Sequence, residues 1–167
     1  SAFHTTLIYQ HCQQELLYLE LLALHQLINP AIVKQYLSLE CWSEKLEREQ
    51  LTLGLISHDA SQQEPQCRYQ FIHPILQQYF LARFIIRLFN NKMEISCSVQ
   101  NDRQAAILAL CRAVHQLAQQ EPYSCLTDFI RDFAYICKAN IPPEFEISSV
   151  LISQLSQKGY RFEITYV

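Results

Sequence analysis

A histidine between a predicted strand and a predicted helix is the residue best placed to do chemistry in this sequence. The run from Arg68 to Ile72 alternates apolar and polar side chains as a strand does, and Pro74 suits the first turn of a helix, where its missing N–H costs nothing. His73 joins the two. An imidazole at such a junction can donate or accept a hydrogen bond. From the residues alone, the favoured interpretation of His73 is a histidine that only caps the helix starting at Pro74.

The other groupings of reactive residues are weaker. Cys111 and His115 lie one helical turn apart and offer two metal ligands, but no second pair has the spacing to complete a site, so packing is the favoured interpretation. No nucleophile elbow is present to support a hydrolase. The two glycines, Gly54 and Gly159, are too few and too far apart for a Walker loop or a dinucleotide fingerprint. We predict no catalytic residues, no metal site and no cofactor-binding loop in this chain.

Composition limits the class of protein. Of the 167 residues 50% are hydrophobic and 17% charged, which excludes a disordered chain, and the net charge of −3 lacks the basic face that nucleic-acid binding usually needs. No apolar run reaches the length of a bilayer span. The seven cysteines include no C-x-x-C pair, which favours a reduced, cytoplasmic protein over a disulfide framework. We expect neither a nucleic-acid nor a membrane partner.

Hydrophobic periodicity predicts a mainly α-helical fold with a small β-hairpin. Three helices precede the hairpin, at residues 16–28, 31–39 and 44–53, the last capped by Ser43. Two short strands around the polar loop at 58–66 form the hairpin, and a fourth helix runs from Pro74 to about Phe89. Three helices followed by a two-stranded wing is the order of a winged helix, so residues 1–90 are predicted to form a winged-helix-like subdomain.

Residues 91–167 are predicted to form a helical arm that ends in a strand. One helix follows a cap at Asp102, and a second follows a cap at Ser124. The inward side chains predicted for the second are Leu126, Phe129, Ile130, Phe133, Ile136 and Cys137. A short helix opens at Ser148 or Ser149 and closes at Gly159. The segment Tyr160–Val167 alternates in strand fashion and either folds back onto the small sheet or pairs with another chain.

The segment from Tyr69 to Phe84 resembles the strand–histidine–helix signature of STAND-class NTPases, in particular NACHT proteins such as NOD-like receptors. In that family the run reads approximately aromatic-x-Phe-x-His and then, after a short gap, Gln-Glu-Phe/Tyr-Phe/Leu-Ala-Ala. Phe71 and His73 match the first part, and the run from Gln77 to Ala82 matches the second, with Gln78 in place of the usual Glu.

The resemblance extends upstream of this segment. Residues 15–56 look like the preceding winged-helix segment, whose last helix commonly ends in Gly-Leu-Ile or Gly-Leu-Leu, here residues 54–56. In all it covers roughly residues 14–90. Residues 91–167 correspond by position to the helical arm that follows in that family and carry no diagnostic motif.

The resemblance implies a regulatory role without catalysis. In NACHT proteins the corresponding histidine binds the β-phosphate of ADP held by an upstream P-loop domain, and exchange to ATP releases this contact. The role falls on His73, with ATP or ADP as ligand of the full-length protein only. The implied partners are the upstream nucleotide-binding domain and a downstream sensor domain of the same chain. Gln78 provides no carboxylate for a salt bridge at its position.

Two alternatives come from other functional classes. The first is an independent helical scaffold that binds a protein partner through the Tyr160–Val167 strand or a helix groove. The second is a winged helix that binds nucleic acid. The predicted third helix disfavours the second alternative, because its three acids, Glu44, Glu47 and Glu49, outnumber its two bases and repel phosphates.

Overall fold

The chain is mainly α-helical with a small antiparallel hairpin, as predicted. The computed structural model describes residues 2–38, 54–63, 68–92, 96–97, 103–147 and 156–159. In chain order the elements are α1 (Ala2–Leu27), α2 (Pro30–Tyr36), β1 (Leu37–Ser38), β2 (Ile56–His58), β3 (Tyr69–Phe71), α3 (Pro74–Phe89), β4 (Ser96–Cys97), α4 (Arg103–Ala118), α5 (Cys125–Ile136) and a 3-10 helix at Pro143–Phe145. The predicted third helix, the Asp102 cap, the start of the helix predicted at 148 or 149 and the terminal strand lie outside the described residues; at the predicted end of that last helix, Gly159 has a φ of 89°.

An Asn-Pro pair separates the first two helices. The side chain of Asn29 accepts a hydrogen bond from the N–H of Ala31 at 2.9 Å, and Pro30 is the first residue of α2. The predicted second helix, 31–39, is too long. It ends at Tyr36 because Leu37 and Ser38 instead pair antiparallel with the strand Ser96–Cys97.

The predicted hairpin is confirmed. Strand β2 pairs antiparallel with β3, with Ile56 opposite Phe71 and His58 opposite Tyr69. At the start of the connecting loop the side chain of Asp59 accepts two hydrogen bonds from Ser61, through its N–H at 3.0 Å and its hydroxyl at 2.6 Å. This is the usual way in which an aspartate closes a local turn.

Helix α3 lies between α1 and α5 and is the centre of the core. The predicted bounds of this helix are confirmed. The apolar cluster includes residues from Leu19 to Phe145 and so draws on both sides of the predicted boundary at 90/91. The division into 1–90 and 91–167 stays a prediction.

The C-terminal end of α5 differs from the prediction. Leu126, Ile130 and Phe133 are buried as expected, but Ile136 is 75% exposed and Cys137 is exposed too. The helix ends at Ile136, and Lys138, with φ 51°, reverses the chain. Beyond the end of the helix, Ala139 and Ile141 are partly buried and pack against the core, where Ile136 and Cys137 had been expected. Ser124 precedes the helix without a side-chain capping hydrogen bond.

None of the helices in the described part of the chain combines the length and the hydropathy needed to cross a bilayer.

Candidate functional site

His73 caps the N-terminus of α3 and is exposed. Its backbone is extended, with φ −148° and ψ 139°, and its Nδ1 accepts a hydrogen bond from the N–H of Ile75 at 3.0 Å. In the neutral ring an accepting Nδ1 places the proton on Nε2. The cap therefore leaves the Nε2–H of an exposed ring as a donor, and capping is compatible with binding an anion.

Rigid elements on both sides hold His73. The N–H of Ile72 donates to the carbonyl of Leu55 at 3.0 Å, which extends the hairpin by one residue. The N–H of Leu76 donates to the carbonyl of His73 at 3.1 Å and starts the helix. The ring of Phe71 stacks on that of Phe80, with centroids 5.7 Å apart, so the strand is fixed to the helix that follows it.

Apolar side chains surround the imidazole on the surface. Ile72 is 60% exposed and Ile75 is 45% exposed, and Pro74 between them is exposed as well. We call Ile72, His73, Pro74 and Ile75 the His73 face. One polar hydrogen-bond donor within an apolar rim is an arrangement typical of contact surfaces.

The two glutamines that follow the histidine have different environments. Gln77 donates from Nε2 to Oε1 of Gln26 at 2.7 Å, and Gln26 donates from Nε2 to the carbonyl of Tyr69 at 2.6 Å. Gln78 is buried and donates from Nε2 to the carbonyl of Pro122 at 3.3 Å. A glutamate at this position would bring a carboxylate against a carbonyl oxygen, so an amide suits this position of the fold.

Sequence reasoning missed a buried ionic network next to this region. The carboxylate of Glu20 in α1 is fully buried; it pairs with Nε of Arg83 at 3.3 Å and with Nη1 of Arg87. Burial raises the pKa of Glu20, and the two guanidiniums oppose that rise. Arg83 also lies over the ring of Phe133, 4.7 Å from its centroid. The available signal was an acid within a leucine-rich helix together with two arginines one turn apart.

Cys111 and His115 form neither a nucleophile nor a complete metal site. The thiol of Cys111 is buried in the core, and burial, with a contribution from Glu144, raises its pKa to about 12, so it stays protonated at neutral pH. The ring of His115 packs edge-on against Phe145. Among the described residues no three His, Cys, Asp or Glu side chains are grouped to hold a metal ion.

Comparison with known proteins returns no family model, no curated protein and no solved structure that matches this chain. The resemblance to NACHT proteins therefore stays a prediction that depends on the residues between Phe71 and Ala82.

Proposed function

We propose that this chain is a non-catalytic regulatory part of a NACHT-like signalling NTPase in the cytoplasm. Its work is to stabilise the closed, ADP-bound state of an upstream nucleotide-binding domain and to relay conformational change to a downstream sensor domain. The observation that carries the proposal is the exposed imidazole of His73, whose Nδ1 is committed to the helix cap while its Nε2–H is directed away from that bond.

The position at the start of α3 adds to this interaction. A helix of 16 residues places partial positive charge at its N-terminus, which favours an anion such as phosphate. A hydrogen bond to a charged group contributes about 1.5–3 kcal/mol. If it is made only in the closed state, it shifts the closed–open equilibrium roughly ten- to hundredfold. The apolar rim of the His73 face supplies the accompanying interdomain contacts.

The test is His73→Ser in the full-length protein. Serine keeps the helix cap but is too short to reach the phosphate, so the variant separates phosphate binding from capping. We expect ADP release to be about tenfold faster or more, with raised basal activation. Gln116→Ser, at an exposed glutamine of α4, is the control and should release ADP at the wild-type rate. If the His73→Ser variant releases ADP at the wild-type rate, the proposal is wrong.

A second candidate function is a helical scaffold that binds a protein partner. Exposed apolar side chains at the end of α5 favour it, with Tyr135 64% and Ile136 75% exposed. The Tyr160–Val167 strand of this candidate lies outside the described residues. If this candidate is right, Ile136→Ser or deletion of residues 160–167 abolishes partner binding while the fold survives. His73→Ser should then leave partner binding unchanged.

A further inference from the structure

Two glutamine side chains join three elements beside His73. Gln77, near the start of α3, hydrogen-bonds to Gln26 in α1, and Gln26 hydrogen-bonds to the backbone carbonyl of Tyr69 in β3, at 2.7 and 2.6 Å. Both contacts are partly buried. We call these two side chains and the Tyr69 carbonyl the glutamine bridge.

The acceptor at one end determines the orientation of the whole bridge. A backbone carbonyl only accepts, so Gln26 must present its amide nitrogen to Tyr69. The oxygen of Gln26 then faces α3, and a donor from Gln77 satisfies it. An acid at either glutamine would bring two acceptors together, so both positions favour a side chain that donates a hydrogen bond.

The bridge spans the junction that carries His73. Tyr69 precedes the histidine and Gln77 follows it, and both are connected to the same residue of α1. Helix α1 also packs on the hairpin through Tyr18 and Leu22, which contact Ile56, Tyr69 and Phe71. Apolar contacts are non-directional and tolerate sliding, whereas hydrogen bonds of this length are directional and set the register of the three elements.

We propose that the glutamine bridge positions the His73 imidazole, so that a displacement of α1 against the hairpin moves this histidine relative to its phosphate. The proposal rests on the proposed role of His73 and adds the route by which that site is regulated. Gln26 and Gln77 are positioning residues, because they act through the strand–helix junction and do not themselves contact the nucleotide.

The test uses the 167-residue chain in the absence of nucleotide. In Gln26→Ala and Gln77→Ala we expect hydrogen exchange at the Ile75 amide, which the His73 cap protects, to be about fivefold faster. The nitrogen resonances of the His73 ring should shift in both variants. Exchange at the Phe84 amide in the middle of α3 should stay unchanged, which separates a local effect from general loss of stability.

Two further variants make the result decisive. Gln116→Ala, at an exposed glutamine of α4, is the control and should leave Ile75 exchange unchanged. Gln77→Glu removes the hydrogen bond from Gln77 to Gln26 at nearly constant side-chain volume. It replaces the alanine variants in the measurement if one of them fails to fold. The proposal is wrong if the bridge variants fold and both measurements stay as in the wild type. These measurements are hydrogen exchange at the Ile75 amide and the nitrogen resonances of the His73 ring.

A measurement on the full-length protein connects the bridge to the nucleotide. Gln26→Ala should accelerate ADP release in the same direction as His73→Ser, and the double variant should release ADP no faster than His73→Ser alone. If the double variant releases ADP faster than His73→Ser by the factor that Gln26→Ala shows alone, the two residues act independently and the proposed coupling between them is wrong. If His73→Ser itself leaves ADP release unchanged, the proposed function fails, while the exchange data on the 167-residue chain still decide whether the bridge positions the ring.

Discussion

Gln78 stands where the signature that this chain resembles has a glutamate, and its surroundings explain this departure. Its side chain is 3% exposed, and its amide nitrogen faces the carbonyl of Pro122 in the turn between α4 and α5. Its oxygen is buried without a hydrogen bond among the described residues. An amide can donate to that carbonyl at every pH, whereas a carboxyl group can do so only when it is protonated.

Gln78→Glu should therefore be destabilising and pH-dependent. We expect the free energy of unfolding at pH 7.5 to fall by about 2–4 kcal/mol, because a buried carboxylate would face a carbonyl oxygen. Burial raises the pKa of such a carboxyl above its unfolded value, so its folded form binds the proton more readily. The loss should therefore be small in acid and grow as the pH rises.

Urea unfolding at pH 5 and pH 7.5 measures this effect. Gln116→Glu makes the same change at an exposed glutamine of α4 and is the matched control. Its free energy of unfolding should stay close to that of the wild type at both pH values. A Gln78→Glu variant as stable as the wild type at pH 7.5 would show that the carboxylate finds a cation, as it would in a salt bridge.

At the scale of elements, α1 and α3 are held together by charge as well as by apolar packing. Glu20 lies between Arg83 and Arg87, whose side chains are 14% and 19% exposed. Two cations oppose the cost of burying one carboxylate, and Arg83 gains further contact with the ring of Phe133 in α5. The network thus connects the helix that carries the glutamine bridge to the rest of the core.

Removing one arginine should cost more than removing the pair. We expect Arg87→Ala to lower the free energy of unfolding by about 2–4 kcal/mol, because the buried carboxylate of Glu20 keeps a single partner. The double variant Glu20→Gln/Arg87→Met should be less destabilised, since the fully buried carboxylate is then gone. Arg83 loses its counter-ion in this variant, but it is 14% exposed and keeps its contact with the ring of Phe133.

Thermal unfolding of the single and double variants tests this prediction, with Arg112→Ala as the control. Arg112 is exposed on α4, and its removal should change stability by no more than about 0.5 kcal/mol. A double variant that is less stable than Arg87→Ala would contradict the proposed origin of the effect.

Local patterns predicted the hairpin and α3 well, whereas the predicted start of the first helix at residue 16 is wrong because α1 already begins at Ala2. The hairpin and the bounds of α3 follow from strand alternation and from a proline at the start of a helix. The end of α2 and the exposure of Ile136 depend on distant strand pairing and on a chain reversal, which periodicity does not register. The ion pairs of Glu20 were missed for the same reason, because both partners lie more than 60 residues away.

At the scale of the whole molecule, α3 serves both predicted halves of the chain. One side of it contacts α1, and the other contacts α5, where Tyr79 meets the ring of Phe129 edge-on at 6.0 Å. Beyond its last turn the side chain of Asn90 exchanges two hydrogen bonds of 2.8 Å with the backbone of Asn140. Helix α3 and the residue that follows it therefore contact elements from both predicted halves of the chain.

The shared core predicts that residues 1–90 do not fold by themselves. Without α5 the core loses four buried side chains: Leu126, Ile130, Phe133 and Ala134. Burial of a large apolar side chain contributes about 1.5–3 kcal/mol, so the loss is comparable with the total stability of a small domain. We expect a 1–90 fragment to lack a cooperative thermal transition and dispersed amide resonances, and addition of a 91–167 fragment to restore both. A 1–90 fragment that unfolds cooperatively alone would instead support the domain boundary predicted at residue 90.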